Sequence, residues 1–221
     1  MDLQYFHHVR SDIEPLSPST ATRILDIGAG AGRTSAWLKS RFPASHTVAM
    51  EGNPAMQAEL SGNADEAFIV DLNGSMPDFG SPDLILCLDI LEHLVQPDVV
   101  LARLAASLAA GGTVIVSVPN VAHWSVSVPL LLGAKFEYQD AGILDRTHLR
   151  FFVRSSLIDL MNRAGLIVGR GIRGGLRGPL TRVADAVTAG TLRDHLTRQY
   201  VVAGKRTTGG VEQGPVEWLF S

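Results

Sequence analysis

Gly28, Gly30 and Gly32 occupy alternate positions in the segment ILDIGAGAGRTSAWL, residues 24–38. Asp26 closes the apolar run before them, and a helical pattern follows. Since glycine has no Cβ and tolerates positive φ angles, such a turn brings bare backbone against a ligand. Two ligand classes suit this arrangement: dinucleotides, whose pyrophosphate lies at a helix N-terminus, and neutral or cationic ligands that benefit from nearby acids.

The position of the third glycine separates these two classes. A dinucleotide site has the pattern G-x-G-x-x-G, which would put its third glycine at position 33. This chain has Arg33 there and reads G-x-G-x-G. It also has acids at or just past the carboxyl ends of the predicted strands, the edge at which open parallel sheets bind ligands. These acids are Asp26, Glu51, Asp71 and Asp89.

Two of these acids have the positions expected of nucleoside contacts. Glu51 ends the second predicted strand, about 20 residues after the glycine turn, where a carboxylate can accept hydrogen bonds from both hydroxyls of a ribose. NAD and S-adenosylmethionine sites share that role, so Glu51 does not choose between them. Asp71, in FIVDLN, is interpreted as a contact to an adenine amino group, with a turn-forming aspartate as the alternative.

The elements that must position these residues alternate along the chain. Short apolar runs bounded by Gly, Pro, Asn or Asp predict strands, and the segments between several of them have helical patterns. This order predicts a parallel sheet with helices on both faces. The strands are predicted at 23–27, 47–51, 67–71, 83–88 and 113–118, and the helices at 32–41, 53–60 and 97–109.

The pattern changes after Pro119. Residues 120–152 show no convincing period and predict a long, partly helical connection, a kind of segment that usually carries function or is disordered. A helix at 155–166, a strand at 167–172 and a final strand at 198–206 follow.

Composition limits the class of protein. With 221 residues, 46% hydrophobic and 19% charged, the chain predicts one folded domain, and a net charge of −3 argues against a nucleic-acid partner. The single cysteine, Cys87, lies in an apolar run and predicts a buried thiol in a reducing cytoplasm. No basic start with an apolar stretch and no bilayer-length apolar run is present, so we expect a cytoplasmic location and no membrane partner.

Five segments together resemble the successive motifs of class I S-adenosylmethionine-dependent methyltransferases, in the family's order and spacing. A narrower resemblance, carried by YFHHVRSDI and by residues 119–152, is to the methyltransferase type 11/12 group associated with bacterial polysaccharide and natural-product biosynthesis. The five segments are DIGAGAG at 26–32, EGNP at 51–54, VDLN at 70–73, LILCLDILEHL at 84–94 and LAAGGTVIVSVPN at 108–120.

The resemblance implies a Rossmann-like α/β fold, with a seven-stranded, mostly parallel sheet, helices on both faces and RQYVVAGKR as the antiparallel strand. It implies one methyltransferase domain over 1–206, with a helical cover at 1–20 and an acceptor-side connection at 121–152, followed by a tail at 207–221. The implied cofactor is S-adenosylmethionine, with S-adenosylhomocysteine as product. Its predicted contacts are Asp26, Gly28, Ala29, Gly30, Glu51, Gly52, Asp71, Leu72 and Asp89.

The acceptor side must align a nucleophile and, for a hydroxyl, remove its proton. His148 in DRTHLR is the predicted catalytic base or acceptor contact, with Asp145 orienting its imidazole, and a structural brace is the alternative. No metal site is expected, since neither HxxxH nor cysteine-rich spacing occurs. The predicted substrate contacts are Tyr5, His8, His93, His123, Trp124 and Arg146.

The sequence therefore predicts methylation of a hydroxyl on a small molecule or glycoside. An N- or C-methyltransferase and a non-catalytic S-adenosylmethionine-binding regulator or partner remain alternatives, and Arg33 counts against an NAD-dependent oxidoreductase. A homodimer is a further possibility that the sequence does not decide.

Overall fold

The computed structural model of the protein describes residues 7–175, 183, 187–188, 190–207 and 212–220. Strands and helices alternate along this part of the chain. The strands are β1 Arg23–Ile27, β2 His46–Glu51, β3 Glu66–Ile69, β4 Leu84–Leu88, β5 Thr113–Pro119, β6 Leu166–Gly174, β7 Gln199–Arg206 and β8 Glu217–Phe220. The α-helices are α1 Arg33–Arg41, α2 Gln57–Asn63, α3 Pro97–Ser107, α4 Trp124–Gly133, α5 Arg154–Arg163 and α6 Arg193–Leu196.

These strands form one mixed sheet in the order β3-β2-β1-β4-β5-β7-β6-β8. The first five in this order pair in parallel, while β7 is antiparallel to both β5 and β6, and β8 is parallel to β6. The reversal of strand order at β1 leaves a crevice at the carboxyl ends of β1 and β4, the usual ligand site of such a sheet. The predicted Rossmann-like α/β class is confirmed, including the antiparallel strand at RQYVVAGKR.

Alternate strand residues supply two separate hydrophobic clusters, as expected of a sheet covered on both faces. Leu25 and Ile85 pack in the cluster under α3 and α5. Ile24 and Leu84 pack in the opposite cluster, with α1 and the 3₁₀ helix Ser11–Leu16. Cys87 is buried as predicted, and burial raises the pKa of its thiol.

The sheet has an eighth strand where the sequence predicted seven and a tail. Residues Glu217–Phe220 pair with β6, in register from Arg170 to Arg173. The Trp218 ring covers Gly171, where an added Cβ would lie 2.6 Å from a ring atom. The segment was missed because four residues in a weak pattern carry too little periodicity to predict a strand.

The N-terminal cover also differs from the prediction. Of the helical cover predicted at 1–20, the described part contains the 3₁₀ helix Ser11–Leu16, and residues 8–10 are not helical. Pro15 lies inside this helix and lacks the N–H that a longer helix would need. Residues 1–6, including Tyr5, lie outside the described residues.

The acceptor-side connection contains α4 and two isolated bridges, which pair Asn120 with Phe152 and Gln139 with Asp145. The Asn120 side chain is fully buried and donates to the main-chain oxygens of Asp194 and Thr197, at 2.7 Å each. Because both ends of the connection are bonded to the sheet region, it can form a fixed wall. Among the described residues, no helix is long and apolar enough to cross a bilayer.

Trp218→Ala should lower the free energy of unfolding by about 2 kcal/mol, because the variant loses ring packing on Gly171 and against Tyr200 and Arg173. Urea denaturation measures the change. Trp124→Ala is the matched control, since that side chain is 54% exposed and its loss should change stability by at most about 0.5 kcal/mol. Equal losses in the two variants would contradict the role given to β8.

Candidate active site

A cavity of about 850 Å³ opens at the carboxyl ends of β1, β2 and β4. Its size is within the range typical of small-ligand sites. The structure brings every predicted cofactor contact to this one space: Asp26, Gly28, Ala29, Gly30, Glu51, Gly52, Asp71, Leu72 and Asp89 all line it.

The glycine turn has the backbone conformation that its sequence predicts. Gly28, Gly30 and Gly32 have φ angles of 73°, 56° and 75°, in the region that residues with a Cβ rarely adopt. A Cβ on Gly28 would lie 2.9 Å from the Ile90 side chain. The turn therefore requires glycine both for its conformation and for its contact with the segment after β4.

The Glu51 carboxylate holds this turn in place. One oxygen accepts a hydrogen bond from Gly30 N at 2.9 Å, and the other accepts from Asn53 N at 2.8 Å. The side chain is buried, yet a carboxylate oxygen has two lone pairs. Each oxygen can therefore still accept a hydrogen bond from a ribose hydroxyl, as predicted for Glu51.

Asp26 joins the strand before the turn to the helix after it. Its side chain is buried and accepts a hydrogen bond from Ser35 Oγ, in α1, at 2.6 Å. Burial, reinforced by the charge of Glu51, raises the pKa of Asp26 to about 6. This carboxyl group links the end of β1 to the first turn of α1.

Asp71 and Leu72 form the far wall of the cavity. One carboxylate oxygen of Asp71 accepts hydrogen bonds from Asn73 N at 2.9 Å and Asn73 Nδ2 at 3.0 Å. This is the turn-forming arrangement that the sequence left as an alternative. Leu72 is buried and offers an apolar contact beside it.

Asp89 anchors the opposite wall through a partly buried network that the sequence did not predict. Its φ angle is 53°, and its carboxylate accepts hydrogen bonds from Arg10, Ser117 and Gln199. Arg10 also pairs with Asp12 at 2.9 Å. Arg10 lines the cavity and was missed because its partner Asp89 is remote in sequence, so no local pattern connects them.

Of the predicted acceptor residues, His93 and His8 line the cavity. His148 is buried beside His93, and the two ring centroids are 4.8 Å apart in an edge-on arrangement. Burial and the neighbouring His148 lower the pKa of His93. Ala141, from the acceptor-side connection, lines the same cavity.

Asp145 was predicted to orient the His148 imidazole, but in the structure these two side chains have other hydrogen-bond partners. Asp145 Oδ1 accepts from Thr147 N and Thr147 Oγ1, at 2.8 and 2.6 Å, in a local turn. The His148 ring is held by Ile143, whose main-chain oxygen lies 3.0 Å from Nδ1. A main-chain carbonyl therefore orients the imidazole in place of the carboxylate.

Three predicted substrate contacts lie outside the residues that line the cavity. Arg146 is exposed and pairs with Asp140 at 2.9 Å. His123 is buried and caps α4, with Nδ1 accepting from Ser125 N at 3.3 Å, and Trp124 beside it faces solvent. In this conformation, His123 has a structural role that its sequence neighbourhood did not reveal.

A protein-family model described as a methyltransferase domain matches residues 1–168. The chain belongs to this family. A similar protein, named trans-aconitate 2-methyltransferase, from Methylobacterium nodulans, is 34% identical over 103 residues, which cover 44% of this chain and 38% of that protein. The chain thus spans about two fifths of the length of the curated relatives it matches.

Solved structures show the same fold. An S-adenosylmethionine-dependent methyltransferase from Mesorhizobium loti matches with a TM-score of 0.63 and 13% identity, covering 88% of this chain and 96% of that one. A mitomycin 7-O-methyltransferase matches with a TM-score of 0.55 and 20% identity, covering 85% of this chain and 49% of the other. At these identities the likeness concerns the fold.

Membership of the methyltransferase domain family implies S-adenosylmethionine as cofactor, and the cavity fits it. The bare backbone of the turn and the remaining lone pairs of Glu51 suit a nucleoside, and Asp26, Glu51, Asp71 and Asp89 suit a sulfonium cation. The cofactor's product, S-adenosylhomocysteine, shares the nucleoside and is a convenient probe.

Glu51→Ala should weaken S-adenosylhomocysteine binding roughly 10- to 100-fold, since hydrogen bonds to a charged group contribute about 1.5–3 kcal/mol. Calorimetry measures the change. Glu66→Ala is the control, because Glu66 begins β3 at the opposite edge of the sheet and pairs with His46. Unchanged affinity in Glu51→Ala would exclude the ribose contact.

Asp26→Asn should become more stable relative to the parent as pH rises from about 4 to about 6.5. In that window the folded parent holds a proton that the unfolded chain has lost, so the Asp26 contribution to stability falls with rising pH. The variant lacks this titrating group. Its free energy of unfolding should therefore rise relative to that of the parent by roughly 3 kcal/mol across this window. Urea melts across pH measure it, and the difference should be constant above pH 7.5. A pH-independent difference would refute the raised pKa.

Proposed function

We propose that this chain methylates an oxygen atom of a small molecule, with S-adenosylmethionine as donor. One observation carries the proposal: the cavity that holds all the predicted cofactor contacts is also lined by His93 and by Ala141 of the acceptor-side connection. Donor and acceptor can therefore share one space. We assign residues 1–206 to the catalytic domain, and β8 extends its sheet.

The residues divide the work along the cavity. Leu72 and the Asp71 carboxylate oxygen that does not accept from Asn73 would hold the adenine. Glu51 would hold the ribose, and Asp89 with Arg10 the methionyl end. When bound, S-adenosylmethionine supplies an electrophilic methyl group on a sulfonium sulfur. The role of the protein would be to align the acceptor oxygen and exclude water. It would also assist loss of the acceptor's proton, beside His93 and His148.

The charge of the cavity favours an uncharged hydroxyl acceptor, such as a glycoside or another small alcohol. Four carboxyl-bearing residues line the space, and Arg10 is already paired with Asp12 and Asp89. A polycarboxylate would meet repulsion there, whereas a neutral molecule would not. The named substrate of the trans-aconitate methyltransferases is a small acid, so we propose the same kind of reaction on a different acceptor class.

The test combines cofactor binding with methyl release. We expect calorimetric binding of S-adenosylhomocysteine but not of NAD, and transfer of labelled methyl groups to members of a panel of glycosides and phenols. His148→Ala should slow turnover at least about tenfold, the lower range for loss of an acid–base contribution, with S-adenosylhomocysteine affinity nearly unchanged.

His46→Ala is the matched control, since His46 begins β2 at the opposite edge of the sheet. Lost cofactor affinity in His148→Ala would identify His148 as a structural brace. Transfer confined to amines or carboxylic acids would refute the proposed acceptor, and binding of NAD alone would refute the whole proposal.

A further inference from the structure

A carboxyl group and two imidazoles meet beside the acceptor end of the cavity. One carboxylate oxygen of Glu92 and one ring nitrogen each of His93 and His148 lie within 4.8 Å of one another. Glu92 and His93 belong to the 3₁₀ helix Leu91–His93 that follows β4, and His148 belongs to the acceptor-side connection. Glu92 and His148 are buried, and His93 is half-buried and lines the cavity.

The Glu92 carboxyl group lacks the partners that a buried acid needs. Its side chain is 1% exposed, and its Oε2 atom has no hydrogen-bond partner within the part of the chain that the structure describes. Burial and the negative charge of Asp89 raise the pKa of Glu92 well above its ordinary value. An unpartnered buried oxygen is costly, and a bound cation would satisfy it.

Both imidazoles are held in the manner of metal-binding histidines. His148 Nδ1 lies 3.0 Å from the main-chain oxygen of Ile143, and His93 Nδ1 lies 3.3 Å from that of Thr147. A carbonyl oxygen only accepts, so Nδ1 of each ring carries the proton. In the neutral ring, Nε2 is then the nitrogen with a free lone pair, and such bonds to main-chain carbonyls fix ring orientation in metal sites.

The backbone fixes the two halves of this cluster relative to each other. The main-chain oxygen of Glu92 accepts hydrogen bonds from Leu149 N at 2.7 Å and from Arg150 N at 3.0 Å. The residues that follow His148 are thereby tied to the segment that carries Glu92 and His93. This backbone contact brings the three side chains together. They can therefore bind one ion without a large rearrangement of the chain.

From this geometry we propose that Glu92, His93 and His148 bind a divalent first-row transition-metal ion such as Zn²⁺. Two imidazoles and one carboxylate form a nitrogen and oxygen ligand set that suits such ions better than Mg²⁺ or Ca²⁺, which prefer oxygen ligands. Three protein ligands leave at least one coordination position open. Donor atoms around one such ion lie roughly 3 to 3.5 Å apart, so binding draws the three side chains together.

The open position would serve the acceptor. His93 lines the cavity, so an ion on this cluster would face the space next to the methionyl end of the cofactor site. A metal ion there would orient an acceptor oxygen and lower the pKa of its proton. This assignment to the acceptor rests on the proposed function, whereas metal binding itself does not.

No metal site was expected from the sequence, because it contains neither HxxxH nor cysteine-rich spacing. Glu92 and His93 are adjacent, and His148 follows in another segment of the chain, so no local pattern contains the set. The cluster arises from tertiary proximity at the Glu92 main-chain oxygen.

The test is a direct titration of the full chain after treatment with a chelator. Calorimetry with ZnCl₂ and absorption spectroscopy with Co²⁺ should show one equivalent bound, with a Co²⁺ spectrum typical of mixed nitrogen and oxygen ligands. Zn²⁺ should raise the melting temperature, since an ion that binds the folded state stabilises it. Glu92→Gln and His148→Gln should each lower Zn²⁺ affinity at least about tenfold.

His46→Gln is the matched control, because His46 also lies beside a glutamate, Glu66, at 2.6 Å but at the far edge of the sheet. It should retain the parent's Zn²⁺ affinity. Circular dichroism and S-adenosylhomocysteine calorimetry on each variant separate metal loss from misfolding and from failure of the methyltransferase proposal. The proposal is overturned if the parent binds no Zn²⁺, if it binds Mg²⁺ equally well, or if folded Glu92→Gln and His148→Gln bind Zn²⁺ as tightly as the parent.

Discussion

The two hydrogen bonds that the Glu51 carboxylate accepts are the constraint on which the cofactor side depends. They join Gly30 in the turn after β1 to Asn53 after β2, so one side chain fixes two adjacent strand ends. The three glycines of the turn have positive φ angles. The Met50 main-chain oxygen accepts hydrogen bonds from Gly28 N and Ala29 N, and the Glu51 carboxylate adds the contact at Gly30. A backbone that is both bare and immobile can contact a nucleoside closely without a large ordering cost on binding.

The acceptor side is organised by main-chain contacts of a different kind. A long connection between β5 and α5 would ordinarily be mobile. Here Asn120 bonds it to the residues before β7, and the Glu92 carbonyl bonds it to the segment after β4. The Asn120 contact depends on the mixed sheet, because the antiparallel β7 places Thr197 next to the carboxyl end of β5. The fold thus supplies two fixed walls around one cavity.

Local patterns predicted the features that depend on neighbouring residues. The glycine turn, the acids at strand ends and the alternation of strands and helices along the chain all follow from periodicity and spacing within about 10 residues. The Arg10 network, the Glu92 cluster and the pairing of β8 join segments that are remote in sequence, so no local pattern contained them. The Asp145 expectation has a different origin, because Thr147 and His148 are both close to Asp145 in sequence and the pattern does not decide between them. In the structure the Asp145 carboxylate accepts hydrogen bonds from Thr147.

The Glu92 carbonyl, with its two main-chain hydrogen bonds, also bears on native-state fluctuations. Leu149 and Arg150 have exposed side chains, yet their amides are bonded to a residue whose own side chain is buried. Release of either amide disturbs the same acceptor atom, so the two are expected to open together as a single cooperative unit. We therefore expect the amides of Leu149 and Arg150 to exchange their hydrogens as slowly as amides in the interior of the protein.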